Sequence, residues 1–282
     1  MPPKRKQRPG EVRRTVEALR AKKGVVATLY VVLRLAVLVI LVAQFLNRNF
    51  ENVFLCILTL VLFLVPTFIE RKIHVDLPDT LEVIILLFIF AAEILGEIQA
   101  YYITFPYWDT MLHTLNGFLC AAIGFALVDI LNRSERFSIT LSPLFLAITA
   151  FCFSMTVGVL WEFFECLMDQ LFLLDMQKDS VIQTISTVTL DPTGGNHPTA
   201  IRGITDLIVV TADGSQHALG LGGYLDIGLL DTMQDLFVNF VGAVIFSIIG
   251  FFYVKSRGRG RFASRFIPKV EPQPETEDAG DA

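Results

Sequence analysis

Charge is scarce in this sequence: Asp, Glu, Lys and Arg make up 18% of its 282 residues, while 53% are hydrophobic. A soluble domain of this length needs far more charged surface, so the composition excludes an ordinary globular protein and points to the membrane. Cysteine is sparse too. Cys56, Cys120, Cys152 and Cys166 stand singly inside apolar stretches, with no Cys-x-x-Cys pair. That excludes a disulfide framework and reads as small packing residues rather than zinc ligands. No internal repeat is evident, so there is no signature of an inverted-repeat transporter. The chain also lacks the Glu-x-x-His pairs of di-iron bundles, any nucleophile motif, the Pro-Ser-Gly-His run of lipid phosphatases, and an Arg/Lys phosphate clamp near its acids.

What it has is six apolar segments, at about 25–46, 52–69, 81–99, 110–131, 143–165 and 229–254. Each approaches the roughly 20 residues that cross a bilayer core. Nineteen of the 23 Lys and Arg residues lie in alternate connections on one side of these segments, and three lie on the other. The positive-inside bias then places both termini in the cytoplasm of a multi-pass protein of the cell membrane. Residues 1–24 form a basic cytoplasmic segment suited to anionic lipid headgroups rather than nucleic acid. Residues 25–254 form the transmembrane domain, and 255–282, rich in Gly and Arg and then Pro, Glu and Asp, are expected to be a disordered cytoplasmic tail.

The fold expected is all-α: a six-helix transmembrane bundle with a small extracytoplasmic β-hairpin cap between helices five and six. The cap falls in the loop 170–228, where Asp206 to Leu219 reads as a hairpin bent at Asp213-Gly214. The aromatic run Tyr101, Tyr102, Phe105, Tyr107 and Trp108 suits an interfacial belt or the rim of a substrate entrance. Arg34, two turns inside the first segment, is expected to snorkel to the cytoplasm or to pair with Glu82 or Asp129.

Polar residues inside the apolar segments follow helical spacing. Asp231, Asp235 and Asn239 recur every four residues and share a helix face. Asp109, His113 and Asn116 form a second stripe, Glu162, Glu165 and Asp169 a third, and Glu93 with Glu97 a further ring. In the topology above every stripe lies at an outer helix end. Ionisable groups near hydrocarbon persist mainly where they face one another or a wet cavity. Carboxylates gathered in such a cavity cannot all ionise unless something offsets their repulsion. A divalent cation, Mg, Mn or Ca, would do so, because hard oxygen ligands with one imidazole suit these ions. Asp109, His113, Glu162, Glu165, Asp231 and Asp235 are the candidate ligands. His113, Glu162 and Asp235 are the candidate catalytic residues, and Glu93, Glu97, Asn116, Asp169 and Asn239 complete the polar site. Asp226 is placed to cap the last helix.

The runs Trp108-Asp109-Thr110-Met111-Leu112-His113 with Gly117, Trp161-Glu162-Phe163-Phe164-Glu165, and Asp231-Thr232-Met233-Gln234-Asp235 with Gly242-Ala243 resemble the YjdF-like inner membrane proteins over residues 80–254. A looser similarity links the acidic, Asn-containing last helix to VanZ-like membrane proteins. Both resemblances imply a helical membrane protein, and neither supplies a reaction. Three readings of the site stand side by side. The first is a metal-dependent hydrolase or transferase acting on a lipid-linked or phosphorylated substrate. The second is a cation or proton-coupled transporter, and the third a non-enzymatic binding or assembly module for a small-molecule or lipid ligand.

Overall fold

The structure is a computed structural model describing residues 9–73, 75–133, 141–256, 265–267 and 269–270. It is mostly helical, with small antiparallel strand pairs. The helices are α1 (Pro9–Leu46), α2 (Phe50–Leu62), α3 (Val65–Ile73), α4 (Asp79–Phe90), α5 (Tyr101–Thr104), α6 (Trp108–Arg133), α7 (Pro143–Phe172) and α8 (Leu229–Lys255), with a π-helical segment, Ala91–Ile98, following α4 directly. Strands β1 (Val75–Asp76) and β8 (Lys269–Val270) pair with each other. The remaining six, β2 (Ser180–Ile182), β3 (Thr184–Thr187), β4 (Thr199–Arg202), β5 (Ile208–Val210), β6 (Gln216–Ala218) and β7 (Tyr224–Asp226), lie between α7 and α8.

Among the described residues, five helical stretches are long and apolar enough to cross a membrane: Gly24–Leu46, Phe50–Phe68, Trp108–Asp129, Pro143–Phe172 and Leu229–Lys255. They coincide with five of the six segments expected. The other, residues 81–99, is interrupted where α4 changes into the π-helical segment. Local chemistry sets several of the ends. Asn49 accepts the N–H of Asn52 at 3.1 Å and caps α2. Ser142 accepts the N–H of Phe145 just before Pro143 opens α7, where a proline costs no intrahelical bond. α7 stops at Phe172 because Leu173 turns left-handed at φ 55°, a common way to end a helix.

The chain divides into two compact units, Met1–Met155 with Asn239–Ala282, and Thr156–Val238. The core of the first contains Val37, Cys56, Phe63, Leu81, Leu86, Phe125 and Phe246. Phe246 meets Phe118 edge-on at 5.0 Å and Phe125 at 6.1 Å, a geometry aromatic rings favour. Arg34 lies over the ring of Tyr30 at 4.3 Å; its cation is held by an aromatic face.

α6 and α8 approach closely because glycines face each other's backbones. A Cβ on Gly117 would lie 2.0 Å from the carbonyl oxygen of Asn239, and one on Gly242 would lie 2.0 Å from that of Thr114. Neither position tolerates a side chain without moving a helix. Contacts advance together along both helices, from Gly117 against Asn239 to Phe125 against Gly250, so α6 and α8 run parallel.

Of the tail expected to be disordered, a few residues are described, and they pack onto the first unit. Phe266 and Ile267 are buried in the core, Phe266 stands edge-on to Phe118 at 5.2 Å, and Lys269 and Val270 pair with Asp76 and Val75. Composition marked the stretch as unable to form its own core; it instead contributes apolar side chains to a core built by others. The rest of the tail, and residues 1–8 of the basic N-terminal segment, lie outside the described residues. Residues 9–23 of that segment continue α1 as helix.

In the second unit the expected hairpin is present: β5 pairs with β6 across a turn that contains Asp213 and Gly214. Two further ribbons, β2 with β7 and β3 with β4, went unforeseen. Their strands are three or four residues long, too short for alternation to show. β2–β7 encloses the other two ribbons and closes the loop at its base. Aspartates organise the turns. Asp191 accepts backbone N–H groups from Thr193, Gly195 and His197. Those bonds, His197 foremost, pull its carboxyl down to about 2. The hydroxyl of Thr211, with Ser215, does the same for Asp213. Asp179 moves the other way, raised first by burial and then by Asp175, Asp226 and Asp169.

A carboxylate with a depressed folded value stabilises its turn above the ordinary carboxylate range and releases it as pH falls through the folded value. Amide exchange at Thr193, Gly195 and His197 should therefore stay slow well below pH ~4 and accelerate as pH falls to about 2. In Asp191→Ala it should be fast at every pH.

Candidate functional site

In the first unit the site begins in the opening turn of α6. Asp109 and His113, four residues apart, bring Oδ1 and Nε2 to 3.4 Å with both side chains mostly buried. A carboxylate beside an imidazole fixes its orientation and can exchange a proton with it, the usual preparation of a histidine for metal binding or acid–base work. One turn further on, Asn116 donates from Nδ2 to Oδ1 of Asn239 at 3.0 Å. Cys120 donates to Asn116 at 3.4 Å, and Asn239 reaches the sulfur of Met155 at 3.6 Å. Ser154 on α7 donates to the carbonyl of Gly117 at 2.7 Å. Asn239 is 1% exposed, and this network is why an amide can sit there: its donors and acceptors meet protein groups where no water reaches. α6, α7 and α8 are thereby joined at one level.

Glu93 and Glu97 lie on the π-helical segment, and Glu93 is 3% exposed. Trp108 donates its indole N–H to the carbonyl of Ala91 at 3.3 Å, which ties the start of that segment to the start of α6. The aromatic run packs on itself, with Tyr101 edge-on to Phe105 at 4.8 Å and to Trp108 at 4.9 Å.

In the second unit Glu162 and Glu165 are buried on α7, and Glu165 accepts the indole N–H of Trp161 at 2.7 Å. Asp235, 1% exposed, is buried on α8. Asp169 and Asp231 have a different occupation. Asp169 accepts the N–H groups of Met176 and Gln177 at 2.7 and 2.9 Å, and Asp231 accepts that of Lys178 at 2.7 Å. Both carboxylates hold the chain as it doubles back from α7, and the side chain of Gln177 bonds Thr232. Asp226 caps α8 by accepting the N–H of Leu230 at 2.8 Å, as its position predicted.

The structure thus pairs Asp109 with His113 and Asn116 with Asn239, and it draws Asp169 and Asp231 to one short stretch of loop backbone. Sequence reasoning missed Cys120, Ser154 and Met155 as members of the polar layer. Cys120 had a visible signal, its place four residues beyond Asn116 on the same stripe. Ser154 and Met155 had none.

A mostly helical chain with several membrane-length helices and buried polar residues within them defines a polytopic membrane protein. The chain belongs to the family described as Predicted membrane protein (DUF2238), whose model matches residues 29–256. The YjdF-like resemblance is consistent with this family, whereas a relation to VanZ-like proteins is not shown. Neither the curated proteins nor the solved structures hold a match to the chain.

The Asn116–Asn239 bond joins residues 123 apart in sequence and should couple their energetics. A double-mutant cycle of Asn116→Ala and Asn239→Ala, read as unfolding free energy in detergent, should give a coupling of roughly 0.6–1.7 kcal/mol, the range of interhelical hydrogen bonds in membranes.

Proposed function

We propose that the outer ends of α6, α7 and α8 form one polar site that holds a divalent cation. The ligands we propose are Asp109 and His113, which stand side by side on α6, with Asp235, Glu165 and Asp231 as further donors inferred from the helix-face pattern of the sequence and Glu162 as the proton-transferring group. The Asn116–Asn239 hydrogen bond carries this reading. Because α6 and α8 run parallel, one turn back from that bond is His113 on α6 and Asp235 on α8. The bond between Ser154 and Gly117 fixes the level of α7. Glu162 lies eight residues beyond Ser154, and Asp109 eight before Gly117. At ~1.5 Å rise per residue each lies about 12 Å along its own helix from the residue that sets its level.

Such a donor set, oxygen-rich with one imidazole, suits Mg, Mn or Ca. Held there, the ion would polarise a carbonyl or phosphoryl oxygen and acidify a bound water. Asp109 would orient His113, and Glu162, buried in hydrocarbon, is suited to take a proton from the attacking water. The reaction we infer is hydrolysis or group transfer on a lipid-linked or phosphorylated substrate that reaches the site from the outer leaflet. A site confined to one membrane face supports this reading over cation transport, which needs a polar path through both leaflets.

The topology we infer has six crossings and both termini in the cytoplasm. α4 and the π-helical segment together run from Asp79 to Ile98, and in this topology they form the third crossing. The strands between α7 and α8 then lie outside as a cap.

Metal analysis of the purified protein should find about one divalent ion per chain, lost in His113→Ala and Asp235→Ala variants that keep the parent's melting temperature. Protein without a bound divalent ion after purification in Mg, Mn or Ca would refute the site. For the topology, Thr193→Cys in a background without the four native cysteines should react with a membrane-impermeant maleimide in intact cells. Reaction only after permeabilisation would reverse the orientation.

A further inference from the structure

We propose that Glu93 and Glu97 form a separate intramembrane proton-binding site: the two carboxylates of the π-helical segment share one exchangeable proton, held mainly by Glu93. Glu93 is 3% exposed, and its Oε2 is buried with no hydrogen-bond partner. An anion in that position would cost several kcal/mol, because neither water nor a counter-charge compensates it. A protonated carboxyl avoids most of that cost. Glu97 lies four residues on in the same segment, and two negative charges that close together would oppose each other.

The surroundings are built for the pair. π-Helical turns inside α-helices are rare and occur disproportionately at functional sites. Here the segment runs for eight residues and contains both carboxylates. Gly96 lies between them, and a Cβ on it would fall 2.3 Å from the Tyr102 ring. The ring therefore packs directly on the backbone beside the carboxylates. The Trp108 indole occupies the carbonyl of Ala91 at the segment's start. α2, α4, α5 and α6 pack around the segment. The titratable groups they bring are Glu51 and Cys56 on α2, Tyr101 and Tyr102 on α5, and Asp109 and His113 at the start of α6, with Cys120, Asp129 and Arg133 further along it; Asp79 and Glu82 lie at the far end of α4. Transfer breaks the O–H bond of Glu93: passage of the proton to the Glu97 carboxylate keeps one negative charge on the pair, and release to water leaves two.

Dicyclohexylcarbodiimide modifies protonated carboxyl groups in apolar surroundings and tests this directly on the full chain in nanodiscs, with peptide mass mapping as the readout. At neutral pH Glu93 should be modified while exposed Asp213 is not. Labelling should disappear as pH rises, and Glu97→Gln should move its midpoint to lower pH, because removing the neighbouring charge eases ionisation of Glu93. Glu93→Gln, nearly isosteric, should keep the parent's melting temperature and lose the label. Absence of labelling at neutral pH, a midpoint unmoved by Glu97→Gln, or protection by sodium, lithium or calcium ions in place of protons would each overturn the proposal. Metal retention in Glu93→Gln is expected to equal the parent's, which separates this site from the one on α6 and α8.

Discussion

The constraint from which the rest follows is that a polar group surrounded by hydrocarbon must find its partner inside the protein. The Asn116–Asn239 bond is the clearest instance. It requires α6 and α8 to approach more closely than ordinary side chains permit, and Gly117 and Gly242 supply that approach. Small residues and polar residues act together here: the glycines remove the steric barrier, and the asparagines give the contact a direction that apolar packing lacks. Ser154 and Met155 bring α7 to the same layer. A register set by hydrogen bonds in the membrane thus decides which turns of each helix stand level.

The acids divide according to what they are asked to balance. Asp169, Asp226 and Asp231 accept N–H groups that helix ends and a reversing chain would otherwise leave exposed. Asp191 and Asp213 do the same within the turns. Asp109 instead faces a histidine, while Glu93, Glu162 and Asp235 are buried deep within helices. The first group is explained by backbone geometry. The second lies among buried side chains instead.

Much of this was legible in the sequence. Five apolar segments emerged as membrane-length helices because length and hydropathy suffice to specify them. The Asp109–His113 pair followed from spacing on one helix. The Asn116–Asn239 bond did not, although both residues stood out, since pairing across 123 positions depends on how helices pack rather than on any local pattern. The bond from the Lys178 N–H to Asp231 was equally out of reach of the sequence. A carboxylate at a helix start looks the same in sequence whether it holds an ion or a turn of backbone. The change from α4 to a π-helical segment was equally hidden, because one apolar run spans both. The buried Phe266 was hidden by its context: a few apolar residues in a stretch rich in Arg and Gly carry no clear period.

That ring has a bearing on how the protein is assembled. Phe266 closes against Phe118 only after every membrane-length helix has left the ribosome and entered the bilayer. Insertion of the helices and completion of their packing are therefore distinct events in biosynthesis. The contact beside Phe118 is thus made by one of the last parts of the chain to be synthesised.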